Sequence, residues 1–374
     1  MTSHVGKYQL IRQLTAGIIE GHLAKAAGPQ GREKTLVLER LRSDLAEDVE
    51  LAEMFLDEAM TAARLVHPHI GQVFDFGEAD STYFLAREYI DGPSLNWLIS
   101  RAAAQRMTLP ATLCARIISQ ACEALAFAHD LTDPKTNQSL RLIHGCIKPN
   151  NILLSRQGTA KVVDFGTARF RARWPPRSCY GHVPHESAFA YSSFDEWRSR
   201  DGLDRRTDVY SLGVVLYELL TARRPFESTS VWSLAQVILT EPMIPAERHR
   251  PELPDVLRSI LARALAKDRD QRYPDCHALQ ADLEAFILSV GEPVTPQQVA
   301  QLIQQVTASD DPTVIAPDGL ETQARACLGR GWILAAAVGL VALLGGGVLL
   351  WKLGAVPEQG HGGRGGGAVR ANLP

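Results

Sequence analysis

The chain's hydrophobic periodicity predicts an α+β order, with a strand-rich N-terminal part preceding a helix-rich C-terminal part. Two observations carry this. Short alternating apolar runs, bounded by Gly, Pro and Asp, recur between Tyr8 and Ile90. Apolar residues at helical spacing dominate from Ala111 to Leu131 and again from Thr207 to Leu288.

In order, "YQLIRQL", "GHLAKAA" and "KTLVLERL" read as strands, with a turn-rich "GPQG" separating the last two. Glu47 to Leu65 reads as a helix, and "MFLDEAMTAARL" puts Phe55, Ala59, Ala62 and Ala63 on one face. "IGQVFDFGE" and "TYFLAREYI" are two more strands. After "DGPS" a long helix runs through "ATLCARIISQACEALAFAHDL". A loop, "LIHGCIKPNN", leads into the hairpin "NILLS-RQG-TAKVVDFG", and helices follow from "TDVYSLGVVLYELLT" to "ALQADLEAFIL". Thr295-Pro296 caps a short helix, "PQQVAQLIQQV". The polar "TASDDPTVIAPDGLETQA" after it reads as a linker.

The 374 residues, 45% hydrophobic and 22% charged, suffice for two packed cores or one two-lobed domain. A net charge of -3 with no basic block argues against a nucleic-acid partner. The cysteines at 114, 122, 146, 179, 276 and 327 show no CxxC, which suits free thiols in a reducing compartment. Met1 to Leu10 holds no apolar run, so no signal peptide is expected. The stretch "WILAAAVGLVALLGGGVLLW", Trp332 to Trp351, carries no charge and is bracketed by Arg330 and Lys352. About 20 residues at about 1.5 Å each cross the roughly 30 Å hydrocarbon core, and interfacial Trp fits. A transmembrane helix over 331–352 is therefore expected, rather than a buried core helix, followed by a Gly-rich tail over 353–374.

The central hairpin carries chemistry. Asn151 and Asp164 sit where its two strands open into loops, and the tight "RQG" turn brings those ends together. An amide oxygen and a carboxylate there suit one hard cation such as Mg²⁺, which needs oxygen ligands. The alternative is a surface Asn and a capping Asp. "CYGHVPH" also spaces Cys179, His182 and His185 as zinc ligands are spaced, with Glu186 as a candidate fourth, though a polar loop explains it as well.

The stretches "HPHIGQVFDFGE", "LAREYIDGPSL", "HGCIKPNNILL", "KVVDFG", "DVYSLGVVLYELLTARRPF" and "RALAKDRDQRY" occur in an order and spacing that are together specific. On them, residues 8–288 resemble a bacterial, eukaryotic-like serine/threonine protein kinase. The resemblance implies a two-lobed protein-kinase fold, with an N-lobe of about 8–87 and a helical C-lobe of about 91–288. Residues 289–330 then form a short helix and flexible linker. The resemblance also implies ATP and Mg²⁺ as cofactors, if nucleotide binding survives. Asn151 and Asp164 would be the metal ligands, and the backbone of Glu88 and Ile90 the adenine contacts.

The departures from that family fall on the chemistry. His144-Gly145-Cys146 stands where the family has His-Arg-Asp, so Cys146 replaces the residue that accepts the substrate hydroxyl's proton. A thiol, with a reference pKa of about 8.5, is mostly protonated at neutral pH. Lys148 persists nearby. Glu39 takes the place of the lysine that holds the α- and β-phosphates, and its helix partner survives as Glu58. Two unit charges about 4 Å apart interact by about 4 kcal/mol at an effective dielectric of about 20, so attraction to a triphosphate turns into repulsion. Of the three glycines expected over the phosphates, Gly17 is kept, Thr15 and Glu20 fill the other places, and Gly21 falls out of register. Gly145 replaces the arginine that reads an activation-segment phosphate, and Ala188 replaces the threonine that bonds the catalytic Asp. Asp195 remains to pair with Arg272.

Arg87 falls at the gatekeeper position behind the adenine. A buried guanidinium needs a partner, and Glu39, Glu58 and Asp164 are the expected ones; the alternative is snorkelling to solvent. Losing a general base lowers a rate by about 10²–10⁴, and losing a preorganised charge contact by about 10²–10³. These losses point to a pseudokinase, anchored in the inner membrane with its kinase-like domain in the cytoplasm, acting on protein partners and not on nucleic acid. A weakly active kinase and an ATP sensor that binds without transfer are the alternatives.

Overall fold

The structure is a computed structural model that describes residues 4–17, 19–27, 33–46, 48–165, 190–198, 203–228, 230–291 and 293–308. The apolar stretch at 332–351, the Cys179, His182, His185 and Glu186 group and Ala188 lie outside them.

The N-lobe is one antiparallel six-stranded sheet in the order β1-β2-β3-β4-β6-β5. Its strands are β1 His4–Val5, β2 Tyr8–Thr15, β3 Ile19–Ala27, β4 Glu33–Leu41, β5 Val73–Ala79 and β6 Thr82–Glu88. Alternation along β4 assigns the two faces. Leu36 and Leu38 join Tyr8, Leu10, Ala24, Phe84 and Ala86 in a buried cluster on one side. Val37 and Glu39 therefore leave β4 on the opposite side.

That second side is covered by helix α1, Val49–Ala63, which packs against β5 and β6. Asp48 caps it by accepting from Leu51 N at 3.1 Å. Its buried residues Leu51, Met54, Phe55, Ala59 and Ala62 recur at helical spacing, as the sequence pattern requires.

The C-lobe is built on two helices buried nearly all round, α3 (Ala111–His129) and α5 (Arg206–Thr221). α3 is long and apolar enough to cross a membrane, but it sits in the C-lobe core. Around this pair lie α2 (Leu95–Ala104), α4 (Phe194–Arg198), α6 (Val231–Thr240), α7 (Asp255–Ala264) and α8 (Cys276–Ser289). α2 has no counterpart among the expected elements, although Ser94 caps it and Leu95, Leu98, Ile99 and Ala102 form its buried stripe. The hairpin of β7 (Ile152–Leu154) and β8 (Ala160–Val162) forms a separate two-stranded sheet.

Helix α9, Pro296–Thr307, carries a capping box between Thr295 and Gln298. Its stripe Val299, Leu302, Ile303 and Val306 is buried and belongs to the main C-lobe core. The Gln105 amide at the end of α2 donates to Val306 O at 2.9 Å. This short helix, expected from the sequence without a partner, is thus part of the packed lobe.

Candidate active site

The catalytic loop is organised by one buried carboxylate. Asp208, at the start of α5, accepts from His144 N and Gly145 N at 2.8 Å each, and binds His129 Nε2 at 2.8 Å. Burial pushes the Asp208 pKa up, but its bonds with His129 outweigh that and hold it below the usual carboxylate range. His144 Nε2 reaches Val163 O at 2.9 Å, and its ring meets the Phe165 ring edge-on at 4.6 Å. The loop backbone is therefore assembled around Cys146.

Cys146 is half-buried, and its N–H donates to His144 Nδ1 at 3.2 Å. The Asn151 amide donates to Cys146 O at 3.0 Å and to Cys146 Sγ at 3.7 Å. Lys148 precedes the short helical turn Pro149–Asn151 that leads into β7. Asn151 O accepts from Val163 N at 2.9 Å, which brings the ends of β7 and β8 together, so that Asn151 and Asp164 share one end of the hairpin as the sequence implied. Asp164 has φ +65°. A non-glycine residue held in the left-handed region stores strain and marks functional sites.

Glu39 and Arg87 meet at the back of the site. Arg87 lies opposite Val37 in the β4–β6 pairing, so its side chain leaves the sheet on the face that Glu39 shares. Arg87 Nε donates to Glu39 Oε1 at 2.7 Å, and Nη2 lies 2.6 Å from the same oxygen. Nη2 is also 3.6 Å from Asp164 Oδ1. The Arg87 side chain is 10% exposed, so it does not snorkel. Burial alone lowers the Arg87 pKa, but Glu39 and Asp164 reverse that and raise it, so the guanidinium stays charged. Burial raises the Glu39 carboxyl, with Arg87 pulling against it. Glu58 and Phe55 of α1 line the same cavity, with Leu85, Asp164 and Phe165.

The strand register revises the glycine-loop assignment. Gly21 lies opposite Glu39 and Leu23 opposite Val37, so both face the site. A register shift between Gln13 and Thr15 in β2 moves the count by one residue. Gly21-His22-Leu23 thus occupies the Gly-x-Val end of the loop, and Gly21 is in register. Its N–H is already taken, donating to Thr15 Oγ1 at 2.7 Å. A Cβ at Gly21 would lie 2.5 Å from that oxygen, so a larger residue would force the Thr15 hydroxyl out of this bond. Gly17 sits at the tip, where, among the described residues, a Cβ would meet Ile19 O at 3.7 Å. Glu20 is drawn off by Arg40 at 2.8 Å.

At the hinge, Glu88 N donates to Gln72 O at 2.8 Å, and its carboxylate holds Lys161 Nζ at 3.0 Å. Ile90 is buried, and its carbonyl accepts from Gly92 N at 3.0 Å. Asp195 meets the buried Arg272 at 2.6 Å, the structural pair expected from the sequence.

Two lobes, a carboxylate-anchored catalytic loop, and a hairpin ending in Asn151 and Asp164 define a protein-kinase fold. The protein kinase domain family matches residues 25–283, and the chain belongs to it. It is 35% identical over 283 residues to the tyrosine-protein kinase MasK of Myxococcus xanthus, covering 75% of this chain and 43% of that one. It is 32% identical over 284 residues to the serine/threonine-protein kinase PrkC of Bacillus subtilis, covering 75% and 40%. The kinase domain of Mycobacterium tuberculosis PknI shares the fold, with a TM-score of 0.55 at 24% identity over 76% of this chain and 97% of that one. The chain thus spans about two fifths of the length of these curated relatives.

The family implies ATP and Mg²⁺, and the residues present do not fit that pair at its anchoring point. The position for the phosphate-binding lysine is a carboxylate already bound to Arg87. Behind it lies a cavity of about 50 Å³ between β4, β6 and α1, lined by Glu39, Glu58 and Arg87.

Proposed function

We propose that this chain is a pseudokinase, a kinase fold that signals through protein contacts and does not transfer phosphate. The observation that carries this is Cys146. The loop around it is fully assembled by Asp208, His144 and Asn151, yet it presents a sulfur where proton acceptance requires a carboxylate. The scaffold is kept and the reacting group is not, which suits a surface selected for binding. The charge-free run at 332–351 supports membrane anchoring, with the kinase domain on the cytoplasmic side of the inner membrane. A reporter fused after Pro374 that is active only in the cytoplasm would overturn that orientation.

The test of the main reading is phosphoryl transfer by the full-length protein in detergent micelles, with radiolabelled ATP and Mg²⁺, to itself and to generic protein substrates. No transfer is expected. Transfer by the wild type that disappears in Asp164→Ala would show an active kinase instead.

A further inference from the structure

We infer that Arg87 closes this site to metal nucleotides by acting as a built-in cation in the place of both the phosphate-anchoring lysine and the metal. The inference rests on the pseudokinase reading and concerns what happens at its nucleotide site.

One guanidinium serves two carboxylates. Its Nε and Nη2 engage Glu39 at 2.7 and 2.6 Å, and Nη2 faces Asp164 at 3.6 Å. Asp164 is the residue from which a kinase holds its metal. A Mg²⁺ ion demands near-ideal octahedral oxygen geometry and comes and goes with its nucleotide. A guanidinium is planar, permanently charged and tethered to β6. For a metal nucleotide to bind, Mg²⁺ would have to displace Arg87 from Asp164. The Arg87 side chain is only 10% exposed, so displacing it moves a largely buried charge. A buried charge stripped of a partner is costly.

The rest of the lining agrees. Among the described residues lining the cavity, Glu39, Glu58 and Asp164 stand against one guanidinium, that of Arg87, so the wall is unfavourable to an anionic ligand. Ile19 from the loop lines the same space. The Gly21 amide, which in a glycine-rich loop is free to donate to phosphate, is spent on Thr15 Oγ1. The first-named feature alone is an electrostatic obstacle. Together with the Arg87 contacts, they place groups of the chain itself where phosphate and metal would bind.

The substitution at position 39 is therefore only half of an exchange. A lysine on β4 has been traded for an arginine on β6, and Glu39 is the group that keeps the arginine in place. Reversing both halves should reopen the site. Glu39→Lys alone would set two cations side by side, so the informative variant is Glu39→Lys with Arg87→Met.

The experiment titrates full-length protein in detergent micelles with a fluorescent N-methylanthraniloyl ATP, with and without Mg²⁺. Circular dichroism melts confirm that each variant is folded. The wild type is expected to show no saturable binding up to about 1 mM. The folded double exchange is expected to gain at least about tenfold in affinity, dependent on Mg²⁺, and to lose it again when Asp164→Ala is added. Saturable wild-type binding below about 100 µM overturns the inference. So does a folded double exchange that binds no better than wild type, since Arg87 is then structural only. If the double exchange does not fold, the wild-type titration still decides. None of these outcomes touches the pseudokinase reading, which falls only on phosphoryl transfer.

Discussion

The carbonyl of Pro296 lies directly over Gly158, so close that a Cβ on Gly158 would come within 1.8 Å of the Pro296 oxygen. Gly158 is in the β7–β8 turn and has φ +83°, a region that L side chains rarely adopt. The same hairpin is bonded to the hinge, with Leu154 N donating to Pro93 O at 2.8 Å and Arg156 N to Asp91 O at 2.9 Å. Helix α9 therefore seats on the element that joins hinge to catalytic loop.

A first prediction follows from that seat. Leu302→Ala should cost about 2–5 kcal/mol, because Leu302 is 3% exposed within the main core. Gly158→Ala should weaken the same docking through strain and collision. Proteins ending after residue 288 should melt lower than those ending after 308. Thermal melts of the variants check this, and unchanged melting in all three would show that α9 adds nothing to the lobe.

The Arg87 pair gives a second prediction. Arg87→Met should destabilise the domain by about 3–5 kcal/mol, since it leaves Glu39 and Asp164 without their shared cation. Glu39→Met with Arg87→Met removes both charges and should recover part of the loss. A double-mutant cycle from denaturant melts measures the coupling. A coupling energy near zero would mean that the pair contributes geometry but no stability.

Charge logic made much of this site legible in the sequence. Glu39 and Glu58 lacked the lysine the family supplies, and the guanidinium of Arg87 needed an anion. Which of Glu39, Glu58 and Asp164 it meets was not legible, because that depends on the β4–β6 register and a rotamer. The Asp195–Arg272 pair was equally readable, as a short carboxylate in a place that demands one. Gly21 was misplaced because an irregularity in β2 shifts the residue count, and such a shift leaves no mark in the residue types. α2 did leave a mark, Ser94 followed by Leu95, Leu98, Ile99 and Ala102, which the stronger pattern of α3 overshadowed. The docking of α9 was invisible because its partners, Gly158 and Gln105, are remote in sequence.

A third prediction concerns Arg272. Its Nε donates to Ala266 O at 2.6 Å and its Nη2 to Lys267 O at 3.0 Å, while Nη1 holds Asp195. Three acceptors arranged around a planar fork cannot be satisfied by a lysine. Arg272→Lys should therefore destabilise almost as much as Arg272→Met, and by far more than a surface Arg→Lys exchange such as Arg248→Lys. Urea melts at one pH compare them. If Arg272→Lys were neutral, charge alone would explain the pair.

The last prediction is a pH dependence set by His129 and Asp208. Both side chains are buried, at 1% and 0% exposure. Burial lowers the His129 pKa, but its bond to Asp208 outweighs this and raises it to about 10. In the unfolded chain the same ring titrates near 6.5. Below that value the ring is charged in both states, and the ion pair's contribution is fully present. As pH rises from about 6.5 through about 10, the folded protein holds a proton that the unfolded chain has lost, and stability from this group declines. Asp208 acts at the other end, because its pKa is lowered: its contribution is present above the ordinary carboxylate range and is lost as pH falls below it. His129→Gln keeps a donor for Asp208 but removes the charge. At pH 6 the variant should be less stable than wild type by about 1.5–3 kcal/mol, the value of a hydrogen bond to a charged group. Between pH 7 and pH 10 that difference should shrink steadily, since the wild type alone is losing its contribution. Titrating groups remote from His129 are common to both proteins and cancel, and Asp208, whose pKa is lowered, stays ionised throughout that range. A difference that stays constant over that range, or that grows, would show that His129 is neutral in the fold.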